Sequence, residues 1–355
     1  MRKLLSYSLV FVMVLSLLLT GCGGGGTNEE KSPGDKVYKL KIANIVADTD
    51  DVNVGFEYLK ENIEKMSDGR ITVEIYGNRQ LANTDIELAD LVNNDDVQMA
   101  CVAVFNLPVA FKGLEDLYIF DFPYMFLTKD EQGAYANSEN GKAKFGKVLE
   151  ISGNCAVYAC YPRAWLNWGL VPGNLTPTQP SDLKAYNVRT NSAQILADTV
   201  ASLGANPTII PFAEVYTALQ QGSIQGTVQS TNHFISENTY EVTKTFLDLK
   251  SSCMLNTTLI SQSWIDSLPD DLRDIFFEAF YDYNDYMIEL SNSTEENSKN
   301  ALREKGVNVI EFNDEDMKPW IEAGKSIWEK ESSLVGGMDA VNACTVWLEE
   351  YRANK

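Results

Sequence analysis

The chain contains 355 residues and one histidine, His233, which limits the chemistry that its side chains can carry out. Most zinc sites and most Ser-His or Cys-His catalytic arrangements require histidine in a defined constellation. His233 could pair with a cysteine such as Cys253, but nothing in their spacing suggests it. Neither Gly-x-Ser-x-Gly nor His-Glu-x-x-His occurs. The sequence therefore predicts a non-enzyme without a metal or another cofactor, in which His233 lies at a helix end or on the surface.

The N-terminus carries a targeting signal. Arg2 and Lys3 precede an apolar run that ends in Leu-Thr-Gly and Cys22, a pattern typical of a secretory signal peptide, and its ending resembles the bacterial lipobox. We predict a signal peptide over 1–21, a lipid on Cys22 and a flexible Gly- and polar-rich tether over 22–36. The alternative, an ordinary membrane helix, is disfavoured by the short apolar run. The protein is therefore expected to be extracytoplasmic and anchored to the cell membrane through Cys22.

The net charge of −21 restricts the partners. Such an acidic chain argues against binding to nucleic acid or to anionic lipid. An organic anion would need a local basic site to overcome the overall field. The roughly 320 residues from Val37 onward exceed one typical hydrophobic core, which favours two domains.

Hydropathy patterns predict alternating strands and helices in the first part of the chain. Strands are predicted at 38–43, 71–76 and 97–104, separated by a helix that Asp50 and Asp51 cap and by a helix at 84–92. Later come strands at 156–161 and 187–189, helices at 191–203 and 212–221, and a loop at 169–180. A periodic element after Pro269 is either one long helix or two helices broken near Asn292. The fold class is therefore α/β.

Four segments carry a family resemblance. They are residues 67–76, Gln80-Leu81, 122–126 and the Phe-x-Glu-Val-Tyr-x-Ala-Leu-Gln sequence that begins at Phe212. Together, from about residue 38 to 351, they resemble the DctP-type extracytoplasmic solute-binding proteins of tripartite ATP-independent (TRAP) transporters. The resemblance implies a periplasmic-binding-protein-like fold with a ligand cleft between two α/β domains and a long helix spanning both. The implied domains are 37–160 plus 255–294, and 161–254 plus 295–355.

The resemblance also implies that Arg189, in the segment 182–189, binds a ligand carboxylate. A guanidinium offers a planar fork of donors that lysine cannot copy; without the resemblance, Arg189 would be interpreted as a surface residue. Arg163 aligns less cleanly with a second family arginine and is the next candidate. Trp165 and Trp168 follow it at a spacing of three, which suits a turn. They would either stack on a ring-shaped acid or pack at the hinge or rim.

Four further residues are candidate ligand contacts. Phe212 is expected to pack against ligand, with core packing as the alternative. Gln229 replaces an asparagine that often binds ligand in the family. Asn44 follows the first predicted strand, and Asn106 follows the third.

The resemblance implies a protein that captures a small carboxylate-containing organic acid by hinge closure and delivers it to membrane permease subunits. The alternative is a lipoprotein of the same fold that senses ligand for a signalling receptor. Apolar residues at Ala103, Val104 and Val228 favour a monocarboxylate with an apolar or aromatic body. Aliphatic dicarboxylates, 2-oxo acids, aromatic acids and amino acids all remain open, as do monomer and dimer.

Overall fold

The computed structural model describes residues 36–173 and 175–355. The predicted signal peptide, Cys22 and nearly all of the predicted tether lie outside the described residues and stay predictions. No helix in the described ranges is both long enough and apolar enough to cross a membrane. Residues Val37–Lys355 form one compact unit.

Ten strands of the described chain form one mixed sheet. They are β1 (Tyr38–Ala43), β2 (Ile71–Tyr76), β3 (Met99–Ala103), β4 (Cys155–Leu170), β5 (Asn187–Thr190), β6 (Asn206–Ile209), β7 (Gly226–Ser230), β8 (Thr245–Leu247), β9 (Cys253–Ser261) and β10 (Asn308–Ile310). The main order is β2-β1-β3-β9-β4-β7-β5-β6; β8 pairs with β4 and β10 with β8.

The sheet contains two groups of three parallel strands, in addition to the parallel pair of β8 and β10. In the first parallel group, β1 lies between β2 and β3. In the second parallel group, β5 lies between β6 and β7. The strands β9 and β4 run antiparallel to their neighbours and connect the two groups.

The described residues also form thirteen α-helices. They are α1 (Asp51–Met66), α2 (Asp85–Asn93), α3 (Leu107–Ala110), α4 (Lys129–Asn137), α5 (Glu139–Ser152), α6 (Gln194–Ser202), α7 (Val215–Gln220), α8 (His233–Ser236), α9 (Gln262–Ser267), α10 (Asp270–Glu304), α11 (Asp314–Lys325), α12 (Trp328–Glu331) and α13 (Met338–Ala353). The order β1-α1-β2-α2-β3 confirms the alternation predicted for the first part of the chain.

Local side-chain hydrogen bonds determine where the helices α1 and α6 begin. Asp50 caps α1 as predicted, because its side chain accepts a hydrogen bond from the backbone N–H of Val52. The helix predicted from Asn191 starts three residues later, at Gln194. Asn191 Oδ1 instead accepts from the backbone N–H of Ala193, a local bond that competes with helix formation.

The strand β4 differs most from the sequence prediction. It continues to Leu170, whereas a turn was expected at Trp165 and Trp168 and a loop from Gly169. Its first part pairs with β9 and its last five residues pair with β7. Two register shifts interrupt the pairing with β9, one of them between Pro162 and Ala164. The shifts disturb the alternation of side chains that signals a strand. The local sequence pattern therefore predicted a turn here.

The element after Pro269 is one uninterrupted helix, α10, of 35 residues. At about 1.5 Å per residue it spans roughly 50 Å. The break considered near Asn292 does not occur: the hydroxyls of Ser293 and Thr294 both donate to the carbonyl oxygen of Leu290, inside the helix. The family-implied long helix is therefore confirmed.

The long helix contacts both ends of the sheet. Tyr283 of α10 stacks on Phe56 of α1, with ring centroids 5.7 Å apart. Further along, Lys299 Nζ lies 3.3 Å from Asp248 Oδ2 and 3.0 Å from Glu311 Oε1, next to β8 and β10. The two parallel groups fall into different predicted domains, but the boundaries 37–160 plus 255–294 and 161–254 plus 295–355 stay predictions.

Candidate functional site

A cavity of about 210 Å³ lies at the carboxyl ends of strands from both parallel groups. It is lined by residues that follow or end β1 and β3 in the first group and β5, β6 and β7 in the second. This is the edge at which ligands bind in open α/β sheets. Most of the lining surface is apolar, including Val52, Phe105, Leu166, Leu196, Val228 and Met254. About half of the lining residues are nevertheless polar, and those with a charge or a hydrogen-bonding atom left without a protein partner decide what the cavity can bind.

Arg189 is a buried cation without a counter-ion in the described chain. It lies on β5, lines the cavity and is 5% exposed. Its Nε donates to the carbonyl oxygen of Ile210 at 2.9 Å, and no described carboxylate forms an ion pair with it. Burial lowers its pKa to about 10, which leaves it charged at neutral pH. A buried, unneutralised guanidinium is costly unless an anion pairs with it.

Phe212 supports this guanidinium. Its ring centroid lies 5.6 Å from the guanidinium carbon of Arg189 and 5.3 Å from that of Arg79. The ring also packs on His233, with centroids 4.8 Å apart. Phe212 lines the cavity, so the structure brings it together with Arg189 as the sequence suggested.

Arg163 also reaches the cavity, but its charge is neutralised within the chain. Its Nε donates to Asp51 Oδ1 at 3.0 Å, and its Nη2 contacts both Asp50 Oδ1 and Asp51 Oδ1. Its Nη1 donates to His233 Nε2 at 3.1 Å. Every guanidinium nitrogen of Arg163 thus has a protein partner, and because the residue also lines the cavity, its role as a second ligand contact stays a prediction.

The two aspartates in this cluster have different protonation behaviour. Burial and the neighbouring Asp51 together raise the pKa of Asp50 well above its ordinary value, against the attraction of Arg163. Burial opposes ionisation of Asp51 too, but the Arg163 charge and hydrogen bonds hold the pKa of Asp51 below its ordinary value. The Asp51–Arg163 ion pair therefore carries most of the charge compensation.

His233 lies at a helix end, one of the two predicted positions, but it is buried in this cluster and not at the surface. It begins α8, lines the cavity, and its Nε2 accepts from Arg163. Burial and the Arg163 charge lower its pKa well below 6.5. A neutral imidazole is what a hydrogen bond from a guanidinium requires. Nothing in the local sequence around His233 signals this contact.

The predicted amide contacts all line the cavity, but two are held by neighbours. Asn44 Nδ2 donates to Asn53 Oδ1 at 2.8 Å, and Asn106 Nδ2 donates to Asp85 Oδ2 at 2.7 Å. Gln229 Nε2 donates to Thr239 Oγ1 at 2.7 Å, while its Oε1 has no donor among the described residues. Gln229 Oε1 and Asn106 Oδ1 therefore accept no hydrogen bond from a described residue.

Trp165 and Trp168 do not belong to the cavity lining. Both lie on β4, where a spacing of three puts them on opposite faces. Trp168 is fully buried in the core, and the Trp165 backbone N–H donates to Glu295 on α10 at 3.3 Å. The structure thus places neither ring where it could stack on a ligand in this cavity, while the alternative of packing at the hinge or rim stays a prediction.

Asp85 is a charged cavity residue that sequence reasoning missed. It is the first residue of α2, and its carboxyl group lines the cavity. Its Oδ2 accepts from the backbone N–H of Ala103 at 3.0 Å and from Asn106. An acidic residue in the first turn of a helix is common for reasons of helix stability alone, so its type and position gave no sign of a site.

Comparisons with known proteins agree with this architecture. Residues 42–333 match the bacterial extracellular solute-binding proteins, family 7. The C4-dicarboxylate-binding periplasmic protein DctP of Rhodobacter capsulatus is 26% identical over 310 residues, 86% of this chain and 90% of that protein. The sugar acid binding protein DctPAm from Advenella mimigardefordensis, solved with galactonate, has a TM-score of 0.82 at 21% identity, covering 89% of this chain and 99% of that one. A TRAP periplasmic solute binding protein from Shewanella oneidensis with bound succinate has a TM-score of 0.80 at 22% identity, covering 87% and 99%.

The fold and these matches define an extracytoplasmic solute-binding protein of the two-domain α/β class. The chain belongs to the family of bacterial extracellular solute-binding proteins, family 7. The resemblance to the TRAP solute-binding proteins is thereby confirmed. The matched relatives are solute-binding proteins and not enzymes.

The buried cluster predicts a large stability cost for removing Arg163. In Arg163→Gln, Asp50 and Asp51 lose their cation, and we expect the free energy of unfolding to fall by about 3–5 kcal/mol. Urea unfolding at neutral pH measures this. Arg303→Gln is the control, because the pair between the partly exposed Arg303 and the half-exposed Glu311 should contribute less than about 1 kcal/mol. Equal losses in the two variants would contradict the structural role of Arg163.

The same cluster predicts that His233 stays neutral in mildly acidic solution. The folded chain resists protonation, whereas the unfolded chain takes up a proton near pH 6.5. The free energy of unfolding should therefore decrease below that pH, by up to about 1.4 kcal/mol per pH unit. Because the chain has one histidine, its imidazole can be followed by NMR without ambiguity. An imidazole midpoint near 6.5, or the same pH dependence in His233→Gln, would contradict the buried neutral ring.

Proposed function

We propose that this protein is the solute-binding component of a TRAP transporter and that it captures a small organic acid through Arg189. The observation that carries the proposal is a buried guanidinium, without a counter-ion in the described chain, in a small and mostly apolar cavity. A ligand carboxylate would neutralise that charge and accept the remaining guanidinium hydrogens. The relatives named for C4-dicarboxylate, galactonate and succinate are consistent with an acid ligand.

The cavity size limits the ligand. A volume of about 210 Å³ is below the roughly 300–1,000 Å³ typical of drug-sized ligands. Phe212 and Gln229 would contact the ligand beside Arg189, the first by packing and the second through its free Oε1. Asn44 and Asn106 would shape the opposite wall while bonded to their neighbours.

Ligand capture would proceed by closure of the two parallel groups over the cavity. Contacts that connect them support this step. Glu237, after α8, accepts from the backbone N–H of Ala47 at 3.1 Å and from Arg79 at 2.8 Å. Asp50 accepts from Asn232 and Ser236, each at 3.2 Å. These bonds join the segment after β1 to the α8 region, and opening the cleft would break them.

Delivery to membrane permease subunits follows from the transporter assignment, and the protein would have no catalytic step of its own. A lipid on Cys22 would keep it at the outer face of the cell membrane, close to the permease. The same fold could also present ligand to a signalling receptor; no described residue favours that alternative.

Replacement of Arg189 tests the proposed function directly. A thermal-shift screen against organic acids and their amides first identifies a binder, since a ligand of the folded state raises the melting temperature. Calorimetry should then show that Arg189→Ala weakens binding by about 2–5 kcal/mol, as for removal of one partner of a buried charge pair. Arg189→Lys should rescue poorly, because it lacks the planar fork.

Arg303→Ala is the matched control, since this half-exposed arginine lies outside the cavity. Unchanged affinity in Arg189→Ala would remove Arg189 from the site. If the amides bound as tightly as the acids, the proposal that the ligand binds through its carboxylate would be wrong. Denaturing the protein and analysing the released small molecules detects a ligand already bound after purification.

The anchor is tested in cells. Cys22→Ser should abolish incorporation of labelled fatty acid and release the protein from the membrane fraction, because two or more acyl chains are needed for stable anchoring. Cys344→Ser, which alters a buried thiol in α13, should leave both properties unchanged. Continued membrane attachment of Cys22→Ser would contradict the lipoprotein assignment.

A further inference from the structure

Asp85 places a half-satisfied carboxyl group in the cavity that holds Arg189. Its Oδ2 is held by two donors, the backbone N–H of Ala103 and the side chain of Asn106. Its Oδ1 accepts no hydrogen bond from any described residue, and the residue lines the cavity. The carboxyl group is therefore fixed in orientation by one oxygen and has the other available.

The charges around the cavity do not suit a ligand with two carboxylates. The charged side chains in the described lining are Arg189, Arg163 and Asp85. Arg163 is already paired with Asp50 and Asp51. One carboxylate of a ligand would use Arg189. A second would find no free cation and would meet the carboxyl group of Asp85, a like charge in a poorly solvated site.

A hydrogen-bond donor on the ligand would bond to the Asp85 carboxyl group, just as a ligand carboxylate would pair with Arg189. Burial raises the pKa of Asp85 above its ordinary value, although the hydrogen bonds from Ala103 and Asn106 act in the opposite direction. A hydroxyl or a protonated amine would supply a donor for Asp85 Oδ1. The apolar residues that line the same cavity would contact the hydrocarbon body of such a ligand.

Resting on the proposed function, we infer that the cavity selects small monocarboxylates that carry a hydroxyl or protonated amine, whose hydrogen Asp85 Oδ1 accepts, and that it discriminates against dicarboxylates. Arg189 requires a carboxylate on the ligand, and Asp85 selects, among carboxylic acids, those that also carry a hydrogen-bond donor. The ligand would thus differ in class from the C4-dicarboxylates for which a curated relative is named.

A matched set of small acids tests this selectivity. Calorimetry would compare butyrate, succinate and the 2-, 3- and 4-isomers of hydroxybutyrate and aminobutyrate, with shorter and longer homologues of each. At least one hydroxy or amino acid should bind about tenfold or more tightly than both butyrate and succinate, because the unpartnered Asp85 oxygen penalises ligands without a donor. Binding of only the hydroxy acids or only the amino acids would identify the donor.

Asp85→Asn supplies the decisive variant. The amide oxygen of the substituted side chain can accept the hydrogen bonds that Ala103 and Asn106 donate to Asp85 Oδ2. The amide Nδ2, a donor, would then face the cavity in place of Asp85 Oδ1. The preference should reverse, so that succinate binds at least as tightly as the hydroxy or amino acid. Asp90→Asn, the same carboxylate-to-amide change at an exposed position of α2 outside the cavity lining, is the control and should keep the original order. Circular dichroism and melting temperature verify folding of both variants.

The outcomes separate this inference from the proposed function. If acids bind and Arg189→Ala abolishes binding, but succinate is preferred or Asp85→Asn leaves the order unchanged, the selectivity inference is wrong and the proposed function stands. If no acid of the set binds and Arg189→Ala changes nothing, both are wrong. Reversal of the order by Asp85→Asn, with dependence on Arg189, supports both.

Discussion

The buried Arg163 cluster is the interaction on which the arrangement of the site depends. It joins three parts of the chain: Asp50 and Asp51 at the start of α1, Arg163 on the connecting strand β4, and His233 at the start of α8. A guanidinium removed from water requires charged or polar partners in close contact, so each of these segments is held where it can supply one. The cluster forms part of the cavity wall and places the α8 region beside the segment that follows β1.

Two buried arginines, Arg163 and Arg189, line the same cavity but differ in whether the described chain supplies a counter-ion. Arg163 carries its own counter-ions, and the raised pKa of Arg163 follows from the attraction of Asp50 and Asp51, which outweighs burial. Arg189 has one backbone carbonyl as a partner, and burial lowers its pKa. The physical distinction is the presence or absence of a compensating anion within the chain. This distinction is the reason for which we interpret Arg163 as structural and propose Arg189 as the ligand contact.

The fold explains why the polar groups of the site converge. The carboxyl ends of the strands in both parallel groups point to one cavity, so residues from distant parts of the sequence become neighbours there. The long helix α10 packs on α1 at one end and lies beside β8 and β10 at the other. Movement of the two groups relative to one another would therefore be guided by a continuous helix and by the strands β4 and β9.

The sequence by itself determined the α/β alternation, the cap of α1 at Asp50, the continuity of α10 once the family was recognised, and the position of Arg189 on a short strand. These features depend on local periodicity, on capping chemistry or on a contiguous motif, each of which is encoded in a short segment of the sequence. Only the tertiary structure decided that Arg163 is neutralised, that His233 is buried, that Trp165 and Trp168 lie outside the cavity and that Asp85 lies inside it. The reason is the range of the interactions: Arg163 meets Asp51 across 112 positions and His233 across 70. Charge compensation at such separations depends on how the strands are ordered in the sheet, which no local pattern encodes.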